Sequence, residues 1–178
     1  ELVSDKHEKY PIRFVTFKRV ENNDNSEYLK LKELILKIHE INPSDRILVL
    51  GRTNSVINRC FNEVDLKDEI GNKIEFVGYE DILIDGMTMH KSKGLTYDQV
   101  IIIGLNKSFP ASEHSLFWLE SLFKNELIDE GIPFAEERRL FYVALTRTKN
   151  KVFLLVNENI NDRSIFINEI YQIIKDNN

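Results

Sequence analysis

The sequence has 178 residues and a mass of 20.9 kDa, which suits a single domain with one substantial core. It is 42% hydrophobic and 30% charged with only 7 glycines and 4 prolines, and this composition excludes disordered, collagen-like and low-complexity proteins. The formal net charge of -5 argues against a protein that coats nucleic acid through its overall field, so any such binding must be local.

The compartment is indicated by what the sequence lacks. Its single cysteine, Cys60, cannot form an internal disulfide, and there is no signal peptide and no apolar run long enough to cross a membrane. We therefore predict a cytoplasmic protein without a membrane partner. The chain begins at Glu1 rather than at methionine, which suggests a fragment or a processed product.

The first half of the chain alternates short apolar strands with amphipathic helices. β-Branched and aromatic runs predict strands, and apolar residues at helical spacing predict helices, the first with Ser26 as its N-cap. The apolar run at 47–50 is continuous, as expected for a strand buried on both faces of a parallel sheet. The predicted elements are, in order, strand 12–17, helix 27–41, strand 47–50, helix 55–64 and strand 74–77.

The second half repeats this alternation, and residues 100–103 give the strongest buried-strand signal in the chain. The predicted elements are a strand ending near residue 89, strand 99–105, helix 115–127, helix 135–148, strand 151–156 and helix 163–175. This pattern predicts an α/β fold with a mainly parallel sheet and helices on both faces. Ligands bind at the carboxyl ends of strands in such sheets, so the residues that follow strands are the first candidates for a site.

Residues 87–95 form a strand end that runs into a basic, glycine-terminated turn. Side chains of a strand alternate between its two faces, so Met87 and Met89 are predicted to enter the core while Thr88 and His90 point the other way.

A phosphate site is the functional interpretation of this stretch. Thr88, His90, Lys93 and Gly94 combine a hydroxyl, an imidazole, an ammonium and a flexible backbone, which together suit an anion. The alternative is a solvated strand end with a glycine turn. No metal site is expected at His90, because the other histidines have no ligand-like spacing with it.

The predicted helix at 135–148 places Arg139, Tyr142 and Thr146 on one face. Its buried sides are assigned to Leu140, Val143, Ala144 and Leu145. Arg147 either complements the helix C-terminus as a cation or acts as a planar, bidentate donor to a terminal phosphate. The four charges at 136–139 admit a second interpretation, a solvated and self-paired first turn.

Two further observations bear on function. Arg52 and Asn54 follow a buried strand directly, where they would either contact a nucleic-acid backbone or form an ordinary helix-start turn. The sequence contains no G-x-x-x-x-G-K-[ST] loop and no acidic pair that closes a hydrophobic strand. It therefore lacks the phosphate cradle and the metal-binding elements of a P-loop ATPase.

These motifs carry a family resemblance. Residues 87–95 resemble motif V, and residues 136–147 resemble motif VI, of UvrD/Rep-type superfamily 1 DNA helicases. Between them, residues 100–105 and the Phe109-Pro110 pair resemble the intervening strand and F-P turn of that family, and residues 47–55 resemble its strand-R-x-N segment. The resemblance covers residues 46–156 and keeps the order and spacing of the motifs.

The resemblance implies a single RecA-like domain over residues 1–178, the C-terminal of two motor domains that close across ATP and Mg²⁺. Both ligands would be bound mainly by an N-terminal P-loop domain that this chain does not contain. Arg147 would be the arginine finger that reaches the γ-phosphate. The implied nucleotide-binding residues are Lys93, Gly94, Thr96 and Arg139. The implied single-stranded-DNA-binding residues are Arg52, Asn54, Thr88, His90 and Tyr142.

The sequence departs from the family pattern at several positions. Thr96 stands where a glutamate usually contacts the nucleotide ribose, and Thr148 replaces the alanine that usually ends motif VI. The N-Y-R-S segment, with its second phosphate-binding arginine, is absent. Ser55 reaches Gly86 through only a helix, a strand and turns, where many relatives insert a large accessory domain. The chain thus resembles the shorter branch, which includes helicase IV-like proteins and RNA-polymerase-associated helicase-like ATPases.

Three hypotheses follow for the intact protein. The first is an ATP-dependent DNA helicase whose isolated C-terminal fragment is inactive because it lacks the P-loop. The second is a helicase-like ATPase that remodels a protein complex such as RNA polymerase, favoured by the absent accessory domain and the acidic net charge. The third is a RecA-like relic that only binds a partner.

Overall fold

The computed structural model describes residues 11–19, 25–61, 73–76, 79–110 and 134–176. Within these residues it contains six strands, four α-helices and one 3₁₀ turn at Ile160–Asp162. In chain order the elements are β1 (Ile12–Phe17), α1 (Ser26–Ile41), β2 (Ile47–Gly51), α2 (Asn54–Cys60), β3 (Lys73–Phe76), β4 (Tyr79–Thr88), β5 (Tyr97–Ile102), α3 (Ala135–Leu145), β6 (Thr148–Asn157) and α4 (Ile165–Asp176).

The six strands form one sheet in the order β1-β6-β5-β2-β4-β3. Every neighbouring pair is parallel except β3 with β4, which is antiparallel. All five residues of β2 are buried, as expected for a central strand covered on both faces. The prediction of a mainly parallel sheet is confirmed, and the short β3 is its outermost, antiparallel strand.

Helices cover both faces of the sheet, as predicted. On one face α1 and α2 pack through the predicted apolar positions of α1 and through Ile57 and Cys60 of α2. On the other face α3 and α4 pack through Phe141, Ala144, Phe166 and Ile167. We call this second side the α3 face. No helix among the described residues is long and apolar enough to span a membrane.

Several element boundaries differ from the sequence predictions. β4 is a ten-residue strand, of which only the end had been predicted, and Ser26 lies inside α1 after an Asn25 N-cap. α3 stops at Leu145 because the Val143 carbonyl, at the end of the helix, accepts hydrogen bonds from the Thr146 hydroxyl and the Arg147 guanidinium.

The strands at the centre of the sheet also differ in length from their predictions. β5 begins at Tyr97 and ends at Ile102, and β6 begins at Thr148, because Tyr97 pairs with Thr148 at the start of both strands. α2 ends at Cys60, because Phe61 has an extended backbone with φ of -120° and ψ of 117°, so the helix predicted at 55–64 stops earlier than expected. The helix predicted at 115–127 lies wholly outside the described residues.

The ends of the strands form two edges of the sheet, which we call the carboxyl edge and the amino edge. At the carboxyl edge, where β2 and β4 end, Gly51 pairs with Thr88. At the amino edge, where β5 and β6 begin, Tyr97 pairs with Thr148. Two segments on the α3 face join these edges: the loop of residues 89–96, which leads from β4 to β5, and α3, which leads into β6.

Candidate functional site

An arginine–glutamate pair dominates the carboxyl edge. The guanidinium of Arg52 lies just after β2, and its Nε donates to the two carboxylate oxygens of Glu137 at 2.8 and 3.0 Å. Its Nη2 donates to Oε1 of Glu137 at 2.5 Å. This ion pair spans 85 residues of sequence and joins the R-x-N segment to the first turn of α3. The hydrogen bonds with Glu137 are the main reason that the pKa of Arg52 lies above its usual value.

The helix phase of α3 explains why Glu137 turns inward. Glu137, Phe141 and Ala144 recur at helical spacing and are the buried residues of this helix. The interpretation of residues 136–139 as a solvated, self-paired first turn is therefore wrong. Glu137 is only 3% exposed and pairs with Arg52, and Arg138 makes a bidentate ion pair with Glu169 of α4.

The apolar positions predicted for α3 are only partly correct. Ala144 is fully buried, but Leu140, Val143 and Leu145 are half-buried, and the main apolar contact comes from Phe141. The ring of Phe141 stacks on Phe166 at 5.8 Å between centroids.

Three further residues predicted to bind DNA lie at the same edge. His90 is exposed, and its Nδ1 lies 3.5 Å from Nη1 of Arg52. Thr88 is half-buried, and its hydroxyl oxygen accepts a hydrogen bond from the backbone of Lys91. Asn54 is the exposed first residue of α2. The structure thus places Arg52, Asn54, Thr88 and His90 at the carboxyl edge. Met87 and Met89 are buried while Thr88 is half-buried and His90 is exposed, as the strand alternation predicted.

The loop of residues 89–96 is held by its own hydrogen bonds. Met89 is fully buried, as predicted, and the completely buried hydroxyl of Ser92 donates to the Met89 carbonyl at 2.7 Å. The Leu95 amide donates to the Ser92 carbonyl at 3.0 Å. Gly94 has a φ of 85°, a left-handed conformation that side chains rarely adopt. Ser92 had no predicted role, since its burial depends on this turn.

Three of the four residues predicted to bind nucleotide lie in the loop that leads to the amino edge. Lys93, Gly94 and Thr96 are all exposed in the second half of the loop. Arg147 follows α3 at the same edge, and its backbone carbonyl accepts a hydrogen bond from the Tyr97 amide at 2.9 Å.

Three contacts fix the guanidinium of Arg147. Nε donates to the Val143 carbonyl at 2.8 Å, Nη1 to the Leu95 carbonyl at 3.3 Å, and Nη2 to the Thr146 hydroxyl at 3.0 Å. An arginine has five N–H bonds, so one on each terminal nitrogen remains without a partner among the described residues. Two oriented N–H bonds on neighbouring nitrogens suit a bidentate oxyanion such as phosphate.

A second polar cluster at this edge was not predicted. The Tyr97 hydroxyl donates to Asp85 at 2.6 Å, and the guanidinium carbon of Arg46 lies 4.6 Å above the Tyr97 ring. Burial, followed by the interaction with Asp85, raises the pKa of Tyr97 to about 12. The cluster anchors the start of β5, immediately after Thr96. Its members are far apart in sequence, so no local pattern could indicate it.

Arg139 and Tyr142 lie on the outer face of α3, between the two edges. Tyr142 is 67% exposed, and Arg139 and Thr146 are exposed as well, which confirms the predicted outward face. Their assignment to nucleotide or DNA stays a prediction. Among the residues that the structure describes, no group of three or more His, Cys, Asp and Glu side chains could hold a metal ion.

Comparison with known proteins identifies the family. The profile described as "UvrD-like helicase C-terminal domain" matches residues 16–159, which is most of the chain. The chain belongs to the UvrD-like helicase C-terminal domain family. The resemblance seen in the motifs is therefore confirmed.

Curated relatives of this UvrD-like domain are named as helicases. DNA helicase IV of Escherichia coli is 36% identical over 121 residues, which are 65% of this chain and 15% of that protein. ATP-dependent DNA helicase PcrA of Bacillus subtilis is 30% identical over 161 residues, which are 85% of this chain and 18% of that protein. The chain thus spans less than a fifth of the length of either relative.

A solved structure shows the same fold. The crystal structure of the C-terminal domain of a possible DNA helicase from Lactobacillus plantarum superimposes with a TM-score of 0.54 at 14% identity, and the match covers 89% of this UvrD-like domain and 79% of that chain. At this identity the comparison supports the architecture alone.

Proposed function

We propose that the full-length protein containing this domain is an ATP-dependent DNA helicase, in which the domain supplies the arginine finger and part of the single-stranded DNA track. Relatives named as ATP-dependent DNA helicases support the activity class. The observation that supports the proposal is the presence of arginine donors at two edges of the sheet, Arg52 beside His90 at one and Arg147 at the other, joined by two segments on one face.

At the amino edge, the two unpartnered N–H bonds of Arg147 would donate to the γ-phosphate of ATP. Lys93 would add a positive charge to the same cleft, Gly94 would let the backbone approach, and Thr96 would face the ribose. Arg139 would approach the nucleotide from α3. The magnesium-bound triphosphate supplies the phosphoryl group that is transferred to water.

At the carboxyl edge, Arg52, Asn54, Thr88 and His90 would contact the phosphates of single-stranded DNA, and Tyr142 would extend this track along α3. Most hydrogen bonds from proteins to DNA go to phosphate and sugar, and such contacts position a strand without reading its sequence. A motor that moves along DNA needs this property.

An N-terminal P-loop domain of the same protein would bind most of the ATP and Mg²⁺. The present sequence has no P-loop motif, so we expect the 178-residue chain to hydrolyse no ATP by itself.

The test is a pair of assays on the full-length protein. DNA-stimulated ATP hydrolysis and displacement of a strand from a duplex with a 3′ single-stranded tail are both expected. Absence of ATP hydrolysis would overturn the proposal, as would appreciable hydrolysis by the isolated chain.

A second candidate, an ATPase that remodels a protein complex such as RNA polymerase, is favoured by the short connection between α2 and β4. Only residues 61–78 lie between these elements, where many relatives carry an accessory domain. DNA-stimulated ATP hydrolysis without strand displacement would support this candidate, and robust unwinding would exclude it.

A further inference from the structure

We infer that Glu137 is a positioning residue of the DNA-binding edge, whose buried carboxylate orients Arg52 so that Arg52 and His90 together receive one phosphate of single-stranded DNA. The inference rests on the proposed function and deepens it, because it adds a buried acid to a surface expected to bind a polyanion. An acid at such a place is unexpected on charge alone, since it repels phosphate.

Within the Arg52–Glu137 pair, the glutamate is more deeply buried than the arginine. The Glu137 side chain is 4% exposed, whereas the Arg52 side chain is 30% exposed. The carboxylate therefore lies beneath the cation and engages Nε and Nη2, while Nη1 is directed toward His90. A guanidinium is planar and rigid, so fixing two of its nitrogens fixes the direction of the third.

His90 completes the arrangement. Its Nδ1 lies 3.5 Å from Nη1 of Arg52, which can only donate. A neutral imidazole that accepts at Nδ1 carries its proton at Nε2, and the exposed ring can present that N–H to a ligand. Nη1 has a second N–H that the His90 contact does not use. Arg52 and His90 then offer two neighbouring donors at the carboxyl edge beside a buried acid, an arrangement that suits a phosphodiester oxygen.

The Arg138–Glu169 pair on the same face provides an internal comparison. It is also bidentate, at 2.5 and 2.8 Å, but both side chains are substantially exposed, at 34% and 45%. Its arginine stacks over the ring of Phe166 rather than beside a histidine. This pair joins α3 to α4 rather than α3 to Arg52, so it serves as a matched control.

The experiment measures binding of a fluorescein-labelled oligothymidylate to the full-length protein over a range of salt concentrations. For Glu137→Gln we expect binding to weaken about tenfold, the scale of a lost charge-assisted contact. The slope of log affinity against log salt should fall by about one, as one phosphate contact is lost. Glu169→Gln should leave both quantities unchanged. The direction is decisive, because removal of an acid would tighten DNA binding if only net charge were involved.

A second variant keeps the test independent of the folding of Glu137→Gln. Arg52→Lys retains the positive charge but cannot form the planar fork, so we expect the same weakening. A double variant that carries both Glu137→Gln and Arg52→Lys should bind DNA no more weakly than Arg52→Lys alone. Wild-type binding by Glu137→Gln or by Arg52→Lys would overturn the inference. Failure of the wild-type protein to bind the oligonucleotide would instead overturn the proposed function.

Discussion

The guanidinium of Arg147 donates a hydrogen bond from Nη1 to the backbone carbonyl of Leu95, at 3.3 Å and across 52 residues of sequence. Leu95 belongs to the loop that starts at the carboxyl edge beside Thr88 and His90, and Arg147 follows the helix that starts there with Glu137. The candidate finger is thus fixed by both segments that lead from the candidate DNA edge. Both segments contact Arg147 directly, α3 through the Val143 carbonyl and the loop through the Leu95 carbonyl.

Arg147→Ala in the full-length protein should lower kcat for ATP hydrolysis by about 10²-fold or more, because the variant loses a donor that stabilises charge in the transition state. Steady-state hydrolysis at saturating ATP and DNA is the measurement. Lys149→Ala is a suitable control, since Lys149 is an exposed cation at the same edge that pairs with Asp98. Unchanged turnover in Arg147→Ala would remove this residue from the finger role.

Arg52→Ala should destabilise the 178-residue chain by about 3 kcal/mol, because it leaves the Glu137 carboxylate buried without its partner. Glu169→Ala breaks an exposed pair of the same chemistry and should cost less than about 1 kcal/mol. Urea denaturation of both variants and the wild type gives the comparison. Equal losses would show that burial of the Arg52 pair has no energetic consequence.

The tyrosine at the start of β5 should make stability fall at alkaline pH. Its pKa is raised from 10.0 to about 12 in the folded chain, so its contribution is fully present below pH 10 and is lost as pH rises from 10 through 12. Tyr97→Phe should be less stable than the wild type at pH 8, because it lacks the hydrogen bond to Asp85. Urea denaturation at several pH values should show this difference shrinking above pH 10. A difference in stability that stays constant up to pH 12 would contradict the raised pKa of Tyr97.

Gly94→Ala should cost about 1 kcal/mol, since a side chain at a φ of 85° is strained although nothing lies within 4 Å of the added atom. Gly94→Asn should cost less, because asparagine tolerates this conformation. Gly104→Ala should cost more than Gly94→Ala, since its φ is 72° and the new atom would lie 2.6 Å from Val56. Thermal denaturation of the three variants tests this order, and equal costs at both glycines would contradict it.

The parts of the fold that depend on local pattern could be predicted from the sequence. The buried strand β2 is evident from consecutive apolar residues, and the buried face of α1 is evident from apolar residues at helical spacing. The alternation of Met87 and Met89 with Thr88 and His90 was likewise sufficient to sort core from surface. Where strand pairing sets the limits, as for β5 and β6, the sequence alone placed the boundaries incorrectly.

The residues that complete the site could not be predicted because their partners are distant. The sequence places Glu136 and Glu137 next to each other in the first turn of the predicted helix, and packing of α3 on the sheet brings Glu137 to Arg52, 85 residues away. The contact between Asp85 and Tyr97 similarly requires β4 and β5 to be folded around β2. The buried hydroxyl of Ser92 depends on a turn whose geometry is not evident from its residue types.

The two segments on the α3 face have a mechanical consequence. Both cross a sheet whose central strands are five or six residues long, a span of about 20 Å at roughly 3.3 Å per residue. Parallel strands in a packed core resist stretching, so the spacing between the two edges is set by the sheet. We therefore expect a displacement at the carboxyl edge to move Arg147 through a rotation of the whole domain, over a distance fixed by the length of the strands.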